Sequence, residues 1–238
     1  MTFLPLFVLG AIIGSFLNVV GLRYRSGRSL GGRSACVSCA KQLAWWELVP
    51  IFSFLFLRGK CSACKNKISW QYPLVEIFTG LIFATLPIWS WPVFVIYIII
   101  LIYDFKHKII PDELVYICVA YALVIRLFII HYSLFDLLIG PILFALFGLG
   151  WLISRGRALG LGDAKLSLSV GLLLGASMGI SAIVLAFWIG TLVTLPIMLF
   201  SSKKLTMKSE IPFAPFIIIG AWASLLFHLD LFHVLSFI

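Results

Sequence analysis

Long apolar runs follow one another down this chain, and the short segments between them hold nearly all of its positive charge. Thr2 to Leu22 is the first run, and others lie near 73–88, 91–105, 112–130, 135–153, 164–178, 181–200 and 213–235. A helix needs about 20 apolar residues to cross roughly 30 Å of hydrocarbon. Helices that are apolar all round belong in a membrane or deep inside a much larger protein. The chain has 238 residues, 62% hydrophobic and 11% charged, and is too short to hide that much apolar surface. A soluble domain would carry about a quarter charged residues. The expected fold is therefore an all-α polytopic integral membrane protein of about eight transmembrane helices. Disordered, collagen-like and disulfide-rich secreted classes are excluded.

The net charge of +9 raises the question of nucleic acid, and the placement of the charge answers it. Nine of the eighteen Lys and Arg residues lie between Arg23 and Lys67. The rest form short clusters (Lys106 and Lys108; Arg155 and Arg157; Lys203, Lys204 and Lys208), with only Arg126 and Lys165 apart. Basic residues between apolar runs mark cytoplasmic loops. Thr2–Leu22 lacks a basic leader and an A-x-A cleavage site, so it reads as a retained helix and not a removed signal. The expected topology puts both ends outside and residues 23–72, 104–111, 154–163 and 201–212 in the cytoplasm. The outer connections around Trp89–Pro92, His131–Ser133 and Gly179 carry no Lys or Arg. Arg126 near an outer helix end is expected to snorkel to the interface. Three regions follow: helix 1–22, a cytoplasmic loop 23–72 and a transmembrane core 73–238. The partner surface is lipid, not nucleic acid.

Within the loop, Cys36-Val37-Ser38-Cys39 and Cys61-Ser62-Ala63-Cys64 form two C-x-x-C pairs with 21 residues between them. Four thiolates in two knuckles suit tetrahedral zinc, and a filled four-cysteine shell is structural. The expected ligands are Cys36, Cys39, Cys61 and Cys64. The other reading is a redox dithiol pair, which belongs in an oxidising compartment, whereas the charge pattern puts these cysteines in a reducing one. Cys118, inside an apolar helix, reads as packing.

Ionisable groups within or bordering spans are candidates for function. Asp104 ends the apolar run Val93–Tyr103, and Asp163 stands in Gly160-Leu161-Gly162-Asp163-Ala164-Lys165, 59 residues later. The stretch Pro73–Tyr103 is short for two spans, which places Asp104 at or slightly below the cytoplasmic interface if its helix continues. Both acids then meet the same membrane face. Two carboxylates brought close in a low dielectric share a proton, so one can act as general base while the other polarises a carbonyl. Simpler readings make Asp163 a helix cap and Asp104 the partner of Lys106 or Lys108. Asp112 and Glu113 fit the N-terminal end of a helix dipole. Glu76 sits just inside the second span with no evident role, and Asp136 and Asp230 read as solvated ends. No H-E-x-x-H, Gly-x-Ser-x-Gly or Walker A pattern occurs, and His107, His131, His228 and His233 lack metal-ligand spacing. Gly14-Ser15 reads as small-residue helix packing.

In order along the chain, these segments resemble the type IV prepilin leader peptidases, membrane aspartic proteases with a Gly-x-Gly-Asp motif. The resemblance is carried by Gly14–Val19, Arg33–Cys39, Trp45–Pro50, Leu57–Cys64, Ile68–Glu76, Asp104–Asp112, Gly160–Leu166 and Pro212–Phe216. It implies that Asp104 and Asp163 are the catalytic pair. It also implies that the substrate is a prepilin or pseudopilin cut after a glycine on the cytoplasmic side of the inner membrane. Many members also methylate the new N-terminus with S-adenosylmethionine, although this chain carries no nucleotide-binding motif of soluble methyltransferases. Val37 stands where the family usually has proline, and Glu47-Leu48 where asparagine or aspartate is common. The rival from another class is a transporter using the same acids as a proton or cation path.

Overall fold

The structure, a computed structural model, describes residues 3–27, 29, 31–128, 133–156, 159–200 and 212–230. Expectations involving His131, Arg157, Lys203, Lys204, Lys208, His233 and the end of the last apolar run lie outside the described residues. Regular structure among the described residues is helical, apart from two isolated antiparallel bridges, Ala35 with Gln42 and Lys60 with Lys67. The helices are α1 (Phe3–Arg23), α2 (Phe52–Phe56), α3 (Gln71–Thr85), α4 (Trp91–His107), α5 (Asp112–Phe128), α6 (Leu134–Ser154), α7 (Leu161–Phe200) and α8 (Ala214–Leu226). Among the described residues, four stretches are long and apolar enough to cross a membrane: α1, Ile88–His107, α6 and most of α7. The chain divides into two compact units, Met1–Ile102 and Tyr103–Ile238, and the division falls inside α4.

In the first unit, α1 and α3 approach through small residues. A Cβ on Gly10 would sit 2.6 Å from the Thr79 carbonyl oxygen, and one on Gly14 would sit 2.9 Å from Thr79 Oγ1. The Gly14-Ser15 pair is thus a packing device, as expected. Buried Asn18 donates from Nδ2 to the carbonyls of Gly14 (3.3 Å) and Tyr72 (3.4 Å), and the second bond joins α1 to the first turn of α3. Gly21 lies against Ile102 of α4, where Phe94, Tyr97 and Ile98 are fully buried. The tight stretch after Pro73 is resolved at both ends, because α3 starts at Gln71 and α4 continues past Tyr103 to His107.

In the second unit, α7 is broken at Gly175, whose φ of 80° and ψ of −173° are closed to residues with a Cβ. The break comes before the connection expected at Gly179. It frees backbone groups, and two charged residues take them up. Arg126 of α5 donates from Nε to the Leu172 carbonyl (3.1 Å) and from an Nη to the Leu173 carbonyl (2.9 Å). Asp136 of α6 accepts from the amide of Ala176 (2.8 Å), capping the second half of α7. The sequence reading of both residues is therefore corrected. Arg126 is 5% exposed and does not snorkel, and Asp136 is tied into the break instead of being a solvated end. Neither partner was visible without knowing where α7 opens. Beyond the break, Phe187 packs with Phe147 of α6 and with Phe213, at ring separations of 5.9 and 5.0 Å.

Candidate functional site

Asp163 occupies the third position of α7, inside the first turn and not at the cap. Its Oδ2 accepts the amide of Gly160 at 3.2 Å, a side-chain bond that satisfies one orphan donor of the helix start. With Oδ2 committed to the backbone, Oδ1 is the oxygen left for other partners. Asp104 lies one turn before the end of α4, 5% exposed. Neither Lys106 nor Lys108 pairs with it, and among the described residues no donor hydrogen-bonds its carboxylate. Asp163 is buried as well, at 9% exposure, and the two carboxylates are close enough for their charges to interact. The structure thus brings together two sequence-distant acids that have few competing obligations.

Two contacts hold the acids in place. The Ile109-Ile110 segment that follows α4 rests on Gly162, where a Cβ would come within 2.9 Å of the Ile110 Cβ. Only glycine permits that approach. One turn further along α7, Lys165 Nζ donates to both carboxylate oxygens of Asp112 at 2.8 Å. It also lies 5.9 Å from the centre of the Tyr116 ring. Asp112 does sit in the first turn of α5, where the dipole favours an acid. Its bridge to Lys165 is the feature sequence reasoning missed. An exposed pair of this kind is worth little stability, so its effect is to fix position.

The four-cysteine loop is built from two matching knuckles. Cys36 N donates to the Lys41 carbonyl at 2.9 Å, and Cys61 N to the Asn66 carbonyl at 2.8 Å. The residue after each second cysteine, Ala40 and Lys65, takes a left-handed φ of 57° and 59°. Each first cysteine then receives two amides, Cys36 from Cys39 and Ser38, Cys61 from Cys64 and Ala63, and these lower both thiols from their ordinary value, Cys36 to about 6. Cys64 receives the Asn66 amide, but desolvation and its sulfur neighbours push it up to about 11. Four thiolates this close repel unless a cation sits among them.

The sulfurs fit such a cation. The nearest approaches run between knuckles, Cys36 to Cys64 at 3.8 Å and Cys39 to Cys61 at 4.0 Å, and all four lie within 4.8 Å of one another. A tetrahedron with Zn–S bonds of about 2.3 Å has edges of roughly 3.8 Å. The cluster can therefore hold zinc, and its arrangement is not that of two separate dithiols. Buried Glu47 ties the knuckles together. It bonds Lys41 Nζ (3.2 Å) beyond the first cysteine pair, Ser62 Oγ inside the second, and the amide of Ala44 (2.8 Å). These bonds hold its carboxyl below the usual carboxylate range, the Ser62 hydroxyl contributing most.

Glu76, which had no evident role in the sequence, is buried in α3 and accepts the amide of Ile51 at 2.7 Å. Ile51 has a φ of 64°, uncommon for a β-branched residue, and this bond helps to hold it there.

Residues 8–91 match the Bacterial Peptidase A24 N-terminal domain, and residues 91–195 match the Type IV leader peptidase family. The chain is 32% identical to a Bacillus subtilis protein named "Prepilin leader peptidase/N-methyltransferase", over 91% of this chain and 90% of that one. It is 31% identical to a Stutzerimonas stutzeri protein of the same name, over 92% and 88%, and 29% identical to one from Pseudomonas aeruginosa, over 92% and 88%. No solved structure matches the chain. With Asp104 and Asp163 both buried and near enough for their charges to interact, a four-cysteine loop between α1 and α3, and relatives aligned nearly end to end, this chain belongs to the type IV prepilin leader peptidase family.

Proposed function

We propose that this chain is a membrane aspartic endopeptidase that removes the short basic leader of prepilin-like proteins, with Asp104 and Asp163 as the catalytic pair. One observation carries the assignment. Two buried acids, Asp104 near the end of α4 and Asp163 in the first turn of α7, are near enough for their charges to interact, and among the described residues no donor bonds the Asp104 carboxylate.

In the proposed reaction one carboxylate is ionised and takes a proton from water while the other, protonated, polarises the scissile carbonyl. The water oxygen bonds to the carbonyl carbon, the C–N bond breaks, and the proton passes to the leaving amine. The pair titrates as a unit, so neither acid is assigned the resting proton.

The reading extends to topology. Eight spans, counting α7 as two helices parted at Gly175, put both termini outside and both the acids and the cysteine loop on the cytoplasmic side of the inner membrane. The basic clusters support this through the positive-inside rule. Cys36, Cys39, Cys61 and Cys64 would hold one structural zinc whose binding stabilises the loop.

The methyl transfer named for the relatives would need S-adenosylmethionine. Two surface cavities among the described residues are walled by Phe187, Phe213 and Phe216 and by Trp46, Phe52 and Phe56. Neither presents a carboxylate to a ribose, so they do not fit that cofactor, and no residue is assigned to it.

The test is incubation of the purified, bilayer-reconstituted protein with a full-length prepilin in water enriched in oxygen-18. Mass spectrometry should find the leader released, with one heavy oxygen on its new carboxyl terminus after a single turnover. An intact prepilin alongside proton or cation flux in the same vesicles would overturn the reading in favour of a transporter.

A further inference from the structure

The loop between α1 and α3 is basic, as a segment in water should be, yet one stretch of it is not. From Trp45 to Leu57 the single charged residue is Glu47, and Glu47 is buried. The rest of the stretch turns apolar groups outward. Trp45 is 79% exposed, Phe52 68% and Phe56 87%, with Trp46, Leu48, Val49 and Leu55 also exposed. The short helix α2 uses only Phe54 internally, packed on the Trp70 ring at 4.7 Å and against Gly59. Its outward face is thus Phe52, Leu55 and Phe56 without a polar substitute. Contiguous exposed aromatics of this extent mark an interaction surface.

Depth identifies the partner. The Ile51 amide is bonded to Glu76, and α3 packs on α1 at that residue, where a Cβ on Gly14 would lie 3.0 Å from the Glu76 Cα. Gly14 lies nine residues before the basic end of α1 at Arg23, or about 13 Å along the helix axis, and Glu76 lies about 7 Å inside the start of α3. The bond therefore pulls the loop alongside α1, which is apolar enough to span a bilayer, instead of leaving it out in water. Amphipathic segments at an interface sink about 5–10 Å into the boundary of headgroups and acyl chains, a range that includes the depth of Glu76 along α3. Tryptophans gather at that level. Immediately after the apolar stretch come Arg58, Lys60, Lys65 and Lys67, placed to meet anionic headgroups.

We infer that residues 45–57 form a monotopic lipid-docking face, seated in the leaflet next to the loop with Trp45, Trp46, Phe52 and Phe56 among the acyl chains and the following basic residues on phosphate. The inference rests on α1 crossing the bilayer and is independent of which residues cut the substrate, so the two readings fail separately.

The test places the photo-crosslinker benzoylphenylalanine at Phe56 or at Val37, the latter an exposed residue inside the first knuckle. Full-length protein is reconstituted in vesicles of phosphatidylethanolamine and phosphatidylglycerol and irradiated. Mass spectrometry should find lipid adducts from position 56 and none from position 37. Absence of lipid adducts at 56, equal adducts at both positions, or adducts at 56 only to peptide would overturn the inference, the last in favour of a protein partner. A second reading avoids the crosslinker. Brominated acyl chains should quench the tryptophan emission of wild type more than that of a Trp45→Phe, Trp46→Phe variant, and equal fractional quenching would contradict the docking face.

Discussion

At Gly175 a single residue with a backbone closed to other side chains opens a 40-residue helix, and two charged side chains, buried Arg126 and half-buried Asp136, bond to that opening. Arg126 satisfies carbonyls that would otherwise face a low-dielectric interior. Each buried acceptor left without a donor costs about 1–3 kcal/mol. Arg126→Met should therefore lower the melting temperature of the detergent-solubilised protein clearly while leaving its helix content intact. An unchanged melting temperature would show that the carbonyls find other donors. This arrangement was not legible in the sequence. Gly171, Gly175 and Gly179 look alike there, and only the three-dimensional path of α7 selects the middle one. The same holds for Lys165 and Asp112, whose pairing depends on Ile110 lying against Gly162.

Among the elements, the cysteine loop was the most legible, because two C-x-x-C knuckles state their own geometry and the sulfurs do meet. What stayed hidden was the fastening between the knuckles, since hydrogen bonds donated by Lys41 and Ser62 to Glu47 leave no periodic trace in sequence. Two predictions belong here. Metal analysis of wild type prepared under reducing conditions should give about one zinc per chain, and Cys61→Ser should lose it. The loop should then become sensitive to protease while the helices resist; finding no metal in wild type would refute the site. The second concerns pH. Glu47 is held below its ordinary value, so its contribution is fully present above about 4.5 and is lost as the pH falls through the lowered value. Amide exchange across residues 33–67 should be faster in Glu47→Gln than in wild type at pH 7, and the two should converge in acid. A difference that persisted in acid would assign the effect to packing and not to charge.

For the whole molecule, composition and charge placement went a long way. They gave an all-helical membrane protein, the right neighbourhood for every described helix longer than ten residues, and a continued α4 that carries Asp104. They could not give helix lengths, because α3, with 15 residues, and α8, with 13, are shorter than ordinary spans. How such helices sit in a bilayer depends on their neighbours and not on their own hydropathy. The proposed topology predicts that a reporter fused after Lys67 or after Arg155 is active only in the cytoplasm, and one fused after Trp89 only outside. Reversal at any of these positions would move the acids to the wrong face for a leader that stays inside.

The central claim is that Asp104 and Asp163 perform the cleavage together. It is tested most directly by Asp104→Asn and Asp163→Asn, each purified, reconstituted and given a prepilin, with the leader peptide counted by mass spectrometry. The account predicts that both variants insert and melt like wild type, bind zinc equally, and release no leader. Cleavage at the wild-type rate by either one would contradict it.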